Sequence, residues 1–389
     1  MKIGALVPFR RSRRGSTAST TACPYRPAIT GALLTPRARV RALLLAPIVA
    51  FACTLPVTAG PATAGPPPDP VTGSGTLVST PVSENGSKIS AYEIVDARTL
   101  KITVRSAAMS REVVVVVQRP ADTSEPRPVL YLLNGAGGGQ DTATWRRNTD
   151  ATQFFADKDV NVVQLIGGGF TYYTDWRAPD PVLGTNMWRT FLTEELPPIV
   201  DGALGTNGIR AIAGMSMSGT SVLQLPIAAP GLYRAVAAYS GCARISDRIG
   251  QQFVKLVVAA GGGDAENMYG PPEDPMWAAN DPYVNADGLR GLELYLFNGT
   301  GLPGPRDTPG EVRSLGPADG GLIQQLVFGG IIEAATDWCT RSLVAKLGEL
   351  DIPVTADLLQ TGTHSWGYWE DALKKSWPVL ARGLELPEN

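Results

Sequence analysis

The chain has 389 residues, of which 44% are hydrophobic and 18% are charged, so it can bury a substantial core and is neither a coiled coil nor a disordered acidic segment. Its single histidine excludes any site that needs two imidazole ligands, and its four cysteines lack the C-x-x-C spacing of a zinc finger. With 34 basic against 36 acidic residues, the chain also lacks the basic balance expected of a folded nucleic-acid-binding domain.

The N-terminal segment has the pattern of an export signal. The first 41 residues contain nine Lys and Arg and no Asp or Glu, an apolar run follows at residues 42–55, and small residues precede candidate cleavage points after Ala59 and Ala64. This order is typical of a secretory signal peptide, whereas a membrane span needs about 20 apolar residues. We predict that residues 1–64 are a signal peptide and that the protein is secreted, either extracellular or associated with the cell envelope. The weaker alternative makes Cys53 a lipid-anchor cysteine.

Removal of residues 1–64 leaves 25 basic and 36 acidic residues, a net charge of −11. This acidic balance disfavours nucleic acid and anionic membranes as partners. Only Cys242 and Cys339 remain, and two cysteines in an exported chain most simply form one disulfide; two buried free thiols are the alternative. No residue pattern predicts a metal or an organic cofactor.

Residues 65–88 are a Pro/Gly/Ser-rich lead-in with little to pack, and residues 89–389 are predicted to form a single catalytic domain. Several of the apolar runs in that domain end in glycine, and segments of helical periodicity lie between them. This alternation predicts an α/β fold with a mostly parallel central sheet and helices on both faces. The predicted strands are residues 91–95, 100–104, 113–118, 129–133, 160–166, 209–213, 233–238, 292–297 and 354–359.

The sixth of these runs leads into the sequence Gly-Met-Ser-Met-Ser-Gly at residues 214–219. Gly-x-Ser-x followed by a small residue, between a strand and a helix, is the nucleophile elbow of α/β-hydrolases. The small residues permit a tight, strained turn that lifts the serine oxygen clear of the sheet. Ser216 is therefore the predicted nucleophile, and the amide of Met217 is a predicted oxyanion donor. The alternative is a Ser/Gly-rich turn without chemistry.

A serine nucleophile needs a base, and His364 is the only histidine in the chain. It follows the last predicted strand, which is where this fold delivers its base. The acid that orients the imidazole should lie between Ser216 and His364 in the chain. The residues alone leave four acids open, namely Asp307, Glu311, Glu333 and Asp337.

The glycine-rich residues 134–141 follow the fourth predicted strand. A second oxyanion donor is expected there, because glycine lets the backbone approach a substrate closely. Binding of a nucleotide phosphate is a weak alternative, since the segment contains neither G-x-G-x-x-G nor GK[ST].

Eight motifs, spaced along the chain, together carry a family resemblance. They are VLYLLNG, GGGFTYYTDW, MWRTFLTEELP, GMSMSG, AAYSG, MYGPPEDPMWAANDPYV, FNGTG and GTHSWGYW. From about Val113 to Trp369 the sequence resembles the mycolyltransferases of the antigen-85 family, which are esterase-D-like α/β-hydrolases. The resemblance implies an α/β-hydrolase fold and a serine acyltransferase.

The resemblance also implies roles for individual residues. It makes Ser216 the nucleophile, His364 the base and Glu333 the acid, with Asp337 as the runner-up. It implies that the oxyanion is bound by the amides of Met217 and Ala136. The implied substrate contacts are Gly137, Ser365 and Trp366.

The sequence departs from the family at the sugar-contacting positions. Where the family has Leu-Asp-Gly-Leu-Arg, this chain has Leu-Asn-Gly-Ala-Gly at residues 133–137, so the Asp and the Arg are replaced by Asn134 and Gly137. A second sugar-contacting Asp is replaced by Arg244. These changes put the acceptor site in doubt and leave the acyl chemistry intact.

By resemblance, the chain is a mycolyltransferase, similar to diacylglycerol acyltransferases, that uses an acyl-enzyme on Ser216. The acyl donor would be trehalose monomycolate, and the acceptor a second trehalose monomycolate or the arabinan of the cell wall. One alternative is a carboxylesterase or thioesterase that hydrolyses lipid esters. A non-catalytic cell-wall binding protein is the other alternative, disfavoured by the intact pair of Ser216 and His364.

The pair Cys242 and Cys339 is not the usual family arrangement, and Cys339 lies six residues after Glu333. A bridge between them would anchor the helix that carries the acid. We expect the denatured, unreduced mature protein to contain no free thiol in a thiol-counting assay. A count of two thiols would contradict the bridge.

Overall fold

The computed structural model describes residues 76–313 and 321–388. The predicted signal peptide, residues 1–64, the alternative anchor Cys53 and the start of the lead-in lie outside the described residues. Within residues 76–313 and 321–388, every helix is too short or too polar to span a lipid bilayer.

Within the described residues, nine strands form one sheet in the order β1-β2-β3-β5-β4-β6-β7-β8-β9. Strands β1, β2, β3 and β5 pair antiparallel, and every pairing from β5 through β4 to β9 is parallel. The strands are β1 Lys88–Ile94, β2 Thr99–Ser106, β3 Arg111–Gln118, β4 Val129–Leu133, β5 Asn161–Ile166, β6 Arg210–Met215, β7 Ala235–Tyr239, β8 Glu293–Asn298 and β9 Thr355–Leu358. All nine predicted strands are present, with ends displaced by at most three residues, and the predicted mostly parallel sheet is confirmed.

The helices are α1 Trp145–Asn148, α2 Ala151–Phe154, α3 Trp188–Thr190, α4 Leu196–Leu204, α5 Met217–Ala228, α6 Arg248–Ala260, α7 Ala265–Tyr269, α8 Met276–Ala279, α9 Gly321–Gln324, α10 Gly330–Glu349 and α11 Trp366–Leu384. Short 3-10 helices occupy Phe155–Asp157 and Ala286–Leu289. Two π turns, Phe191–Glu195 and Gln325–Gly329, run directly into α4 and α10. Gly329 and Gly330 both have right-handed helical backbone, so the helix continues from the second π turn into α10.

Both faces of the sheet are covered, as the sequence predicted. Along β4 every residue is buried, and alternate side chains enter different cores, with Tyr131 on one side and Leu130 on the other. Residues of α4, α5, α6 and α10 complete the first core, and α1, α2 and α11 complete the second. A parallel sheet buried on both faces needs such continuous apolar strands, and for this reason the sequence reveals them clearly.

Although the composition of the lead-in offers little to pack, its end makes polar contacts with the folded domain. The buried carboxylate of Glu195, at the end of the first π turn, accepts hydrogen bonds from the Asn85 amide, the Ser106 hydroxyl at 2.6 Å and the Ala108 amide at 2.8 Å. One acid thus joins the lead-in, the turn after β2 and the segment that enters α4.

We expect Glu195→Ala to lower the free energy of unfolding by about 2–4 kcal/mol, because it leaves buried donors without an acceptor. Urea denaturation followed by circular dichroism measures this change. The exposed neighbour provides the control, since Glu194→Ala should alter stability by no more than about 0.5 kcal/mol. Equal effects of the two substitutions would show that the buried contacts contribute little.

Candidate active site

Ser216 lies between the end of β6 and the first residue of α5, with φ +57° and ψ −124°. This strained backbone is held by a hydrogen bond from the Ser216 amide to the Tyr239 carbonyl at 2.9 Å. A Cβ atom at Gly214 would come within 2.6 Å of the Ser218 hydroxyl. Only small flanking residues therefore allow the turn to close, and the turn leaves the Ser216 side chain partly exposed.

The imidazole of His364 connects two other side chains. Its Nε2 lies 2.8 Å from the Ser216 Oγ, and its Nδ1 lies 2.8 Å from the Glu333 Oε2. His364 is 6% exposed and Glu333 is fully buried. The three residues come from the β6–α5 turn, from α10 and from the loop after β9. This order of contacts is that of a serine nucleophile, a general base and an acid that orients the base.

The other three acids left open by the sequence lie elsewhere. Asp307 accepts hydrogen bonds from the Thr363 and Tyr368 hydroxyls. Glu311 faces Arg306 at 3.3 Å, and Asp337 pairs with Arg341 at 2.8 Å on the outer side of α10. Of the four candidates, only Glu333 is hydrogen-bonded to the imidazole.

The second oxygen of Glu333 is held by three donors. Its Oε1 accepts from the Ser240 hydroxyl at 2.8 Å, the Asn298 side-chain amide at 3.0 Å and the Gly299 backbone amide at 2.7 Å. These hydrogen bonds offset the cost of removing a carboxylate from water. Sequence reasoning missed Ser240 and Asn298. The available signal was a polar residue at the carboxyl end of an apolar strand, in the motifs AAYSG and FNG.

Two further contacts, besides those with Ser216 and Glu333, hold His364 in place. The ring of Trp369 meets it edge to face, with ring centres 4.8 Å apart, and the Trp369 indole donates to the Ser240 hydroxyl at 3.0 Å. The backbone amide of His364 donates to the Gly329 carbonyl at 3.1 Å, at the end of the second π turn. His364 is thereby held by its ring and by its backbone.

The two predicted oxyanion donors belong to segments that lie close to Ser216. Met217 is the first residue of α5, where amides have no partner within the helix. Ala136 follows β4, next to Gly135, whose Cβ position would be 3.6 Å from the Ser216 Cβ. The Ala136 carbonyl accepts from the Phe170 amide at 2.7 Å, which fixes this loop. Within the described ranges neither amide donates to a protein acceptor, so both remain available to a bound oxygen.

The three predicted substrate contacts differ in how far they are exposed to solvent. Trp366 is 1% exposed and packs edge to face against Trp145 and Trp369, so the structure places its side chain in the core and offers almost none of it to a substrate. Ser365 is 3% exposed, at the start of α11. Gly137 lies in the loop after Ala136, partly exposed and close to the Asp141 carboxylate.

Two of the departures from the family can be explained by packing. Asn134 is fully buried, donates to the Leu165 carbonyl at 3.2 Å and accepts from the Trp145 amide at 3.1 Å. Arg244 pairs with Asp247, and its guanidinium lies between the rings of Tyr283 and Trp338, 4.9 and 4.8 Å from their centres. Both side chains are therefore already engaged within the protein.

The described ranges contain no group of three or more His, Cys, Asp or Glu side chains positioned to hold a metal ion.

Comparison with known proteins agrees with this geometry. The profile of the Esterase family, described as "Putative esterase", matches residues 106–379. The diacylglycerol acyltransferase/mycolyltransferase Ag85A of Mycobacterium leprae (strain TN) is 31% identical over 291 residues, which are 73% of this chain and 82% of that protein. Its counterpart in Mycobacterium tuberculosis (strain ATCC 25618 / H37Rv) is 30% identical over 295 residues, with 74% and 82% covered.

Solved structures share the fold at lower identity. MPT51 of Mycobacterium tuberculosis superposes with a TM-score of 0.60 and 21% identity, covering 76% of this chain and 99% of that one. An S-formylglutathione hydrolase from Agrobacterium tumefaciens gives a TM-score of 0.52 and 16% identity, covering 79% and 99%.

We expect Glu333→Gln to lower kcat for a short-chain p-nitrophenyl ester roughly 10³-fold, because the amide no longer stabilises the imidazolium or fixes its tautomer. Steady-state kinetics measures this effect, with circular dichroism as the check on folding. Asp337→Asn, on the same helix, is the matched control and should change kcat less than about twofold. Equal losses in both variants would count against Glu333 as the acid.

Proposed function

The chain belongs to the Esterase family and, within it, to the antigen-85 mycolyltransferases, and on this basis we propose that it is an exported acyltransferase. It moves a mycolyl group from trehalose monomycolate to a second trehalose monomycolate or to cell-wall arabinan. Ser216, His364 and Glu333 carry the reaction, and no metal or organic cofactor takes part. The main support for this proposal is the pair of hydrogen bonds that links Ser216 to His364 and His364 to the buried Glu333.

In the first half of the reaction, Ser216 attacks the ester carbonyl while His364 accepts the hydroxyl proton at Nε2. The carbonyl oxygen gains negative charge next to the amides of Met217 and Ala136. The positive end of α5 adds to this stabilisation, because the first turn of a helix carries unsatisfied amides. The ester bond breaks, trehalose leaves with the proton from His364, and the acyl group remains on Ser216.

In the second half, a sugar hydroxyl replaces water as the acceptor. His364 removes its proton, the hydroxyl oxygen attacks the acyl-enzyme, and Ser216 regains its proton as the new ester leaves. Transfer exceeds hydrolysis only when the acceptor is oriented close to the serine ester, since water is always in excess.

The alternative is a carboxylesterase or thioesterase on the same scaffold. One observation favours it: the side chains at the positions that contact sugar in the family are absent or engaged elsewhere. Asn134 is buried, Gly137 has no side chain, and Arg244 is held by Asp247 and two aromatic rings. An acceptor sugar therefore needs other contacts here.

Residues 1–64 are proposed to direct export, which would place the enzyme outside the cytoplasm, released or in the cell envelope. A mycolyl acceptor in the cell wall is accessible only from that side of the membrane.

Incubation of the mature domain with trehalose monomycolate should yield trehalose dimycolate, resolved by thin-layer chromatography. Ser216→Ala should yield none, because the acyl-enzyme cannot form. Free mycolic acid without dimycolate would assign the hydrolase instead. Product formation by Ser216→Ala would contradict both functions.

A further inference from the structure

We propose that the disulfide between Cys242 and Cys339 is a positioning element for the triad. By joining the end of β7 to α10, it holds Glu333 in register with His364, so the enzyme reaches full activity only when the bond is formed. The inference rests on the proposed function, because it assigns the disulfide a role in the triad of that reaction.

The disulfide starts from a segment, Ser240 to Cys242, that packs against the helix of the nucleophile. A Cβ atom at Gly241 would lie 2.7 Å from the Gly219 Cα, so the two backbones touch and no side chain fits between them. The Thr220 hydroxyl in the first turn of α5 donates to the Cys242 carbonyl at 2.8 Å. The segment is thus fixed to the turn that carries Ser216.

The same segment reaches α10 on its other side. The Ser240 hydroxyl donates to Glu333 at 2.8 Å, and Cys242 is bonded to Cys339. The Thr340 hydroxyl, which donates to the Asn298 side-chain oxygen at 2.8 Å, also lies 3.3 Å from the Gly241 carbonyl. The segment therefore lies between the helix of the nucleophile and the helix of the acid, and the disulfide is its covalent link to the second helix.

A covalent link matters here because the catalytic end of α10 has little apolar anchoring. The fully buried leucines of α10 are Leu343 and Leu347, and Leu343 is ten residues, or roughly 15 Å, from Glu333. Between Glu333 and Leu343 the buried residues are two threonines and Cys339. On the opposite face, Ile331 is 66% exposed. The disulfide is thus the strongest attachment close to the acid.

The disulfide would also make the activity of the enzyme depend on the cellular compartment in which it is located. Cys339 is fully buried and Cys242 is 7% exposed, so solvent has little access to the bond in the folded protein. Such bonds form in oxidising surroundings outside the cytoplasm. An exported chain would therefore complete its triad on arrival, and a molecule retained in the reducing cytoplasm would be weakly active.

The test is a double-mutant cycle on hydrolysis of a short-chain p-nitrophenyl ester. Cys242→Ala/Cys339→Ala should lower kcat at least about tenfold, because a misplaced acid no longer orients the base. Glu333→Gln is then introduced in both backgrounds. Its effect should be smaller, by a similar factor, in the protein without the disulfide. A purely structural bond would lower the denaturation midpoint and leave the effect of Glu333→Gln unchanged, which would overturn the inference.

Two controls separate the possible failures. Asp337→Asn loosens the outer face of α10 by removing the ion pair with Arg341, and it should leave kcat unchanged. If the double variant does not fold, reversible reduction of the wild-type protein, verified by thiol counting, replaces it. Loss of the fold on reduction would overturn the positioning role. An oxidised wild type without ester turnover would refute the proposed function, whereas equal activity of the oxidised and reduced proteins would refute only this inference.

Discussion

The geometry of the candidate active site depends on one buried contact, the hydrogen bond between Glu333 and His364. A carboxylate removed from water is costly unless every lone pair finds a donor, and here the protein provides four donors for its two oxygens. Three of them come from the ends of β7 and β8, through Ser240, Asn298 and Gly299. The sheet is thus the support that fixes the acid, and the acid in turn fixes the base.

The parallel topology explains how these residues meet. Strands β6, β7, β8 and β9 run in the same direction, so their carboxyl ends form one edge of the sheet. Ser216, Ser240 and His364 follow strands at that edge and Asn298 is the last residue of β8, although Ser216 and His364 are 148 residues apart in the chain. Only Glu333 comes from a helix, so its position depends on how α10 is attached to the sheet, and the disulfide at Cys339 contributes a covalent attachment.

Acyl chemistry and acceptor choice are separate problems in this molecule. The proposed nucleophile Ser216, the proposed base His364 and the amides of Met217 and Ala136 would together supply the groups that an acyl-enzyme requires. The acceptor side differs from the family, because Asn134 uses its side-chain amide in buried hydrogen bonds and Arg244 packs against the rings of Tyr283 and Trp338. The same fold can therefore keep the groups for acyl-enzyme formation while the groups that would bind the acceptor differ.

The sequence by itself determined the sheet and the strained turn at Ser216, and it left His364 as the one candidate for the base. Buried parallel strands are continuous apolar runs, the strained turn at Ser216 requires small neighbours, and a single histidine leaves no choice of imidazole. The sequence could not choose among four acids from residue types alone; the family resemblance pointed to Glu333, and the hydrogen bond to His364 is visible only in three dimensions. It also could not reveal that Trp366 is buried or that Ser240 and Asn298 hold the acid. Those features are contacts between distant segments, and local pattern carries no information about which distant side chains meet.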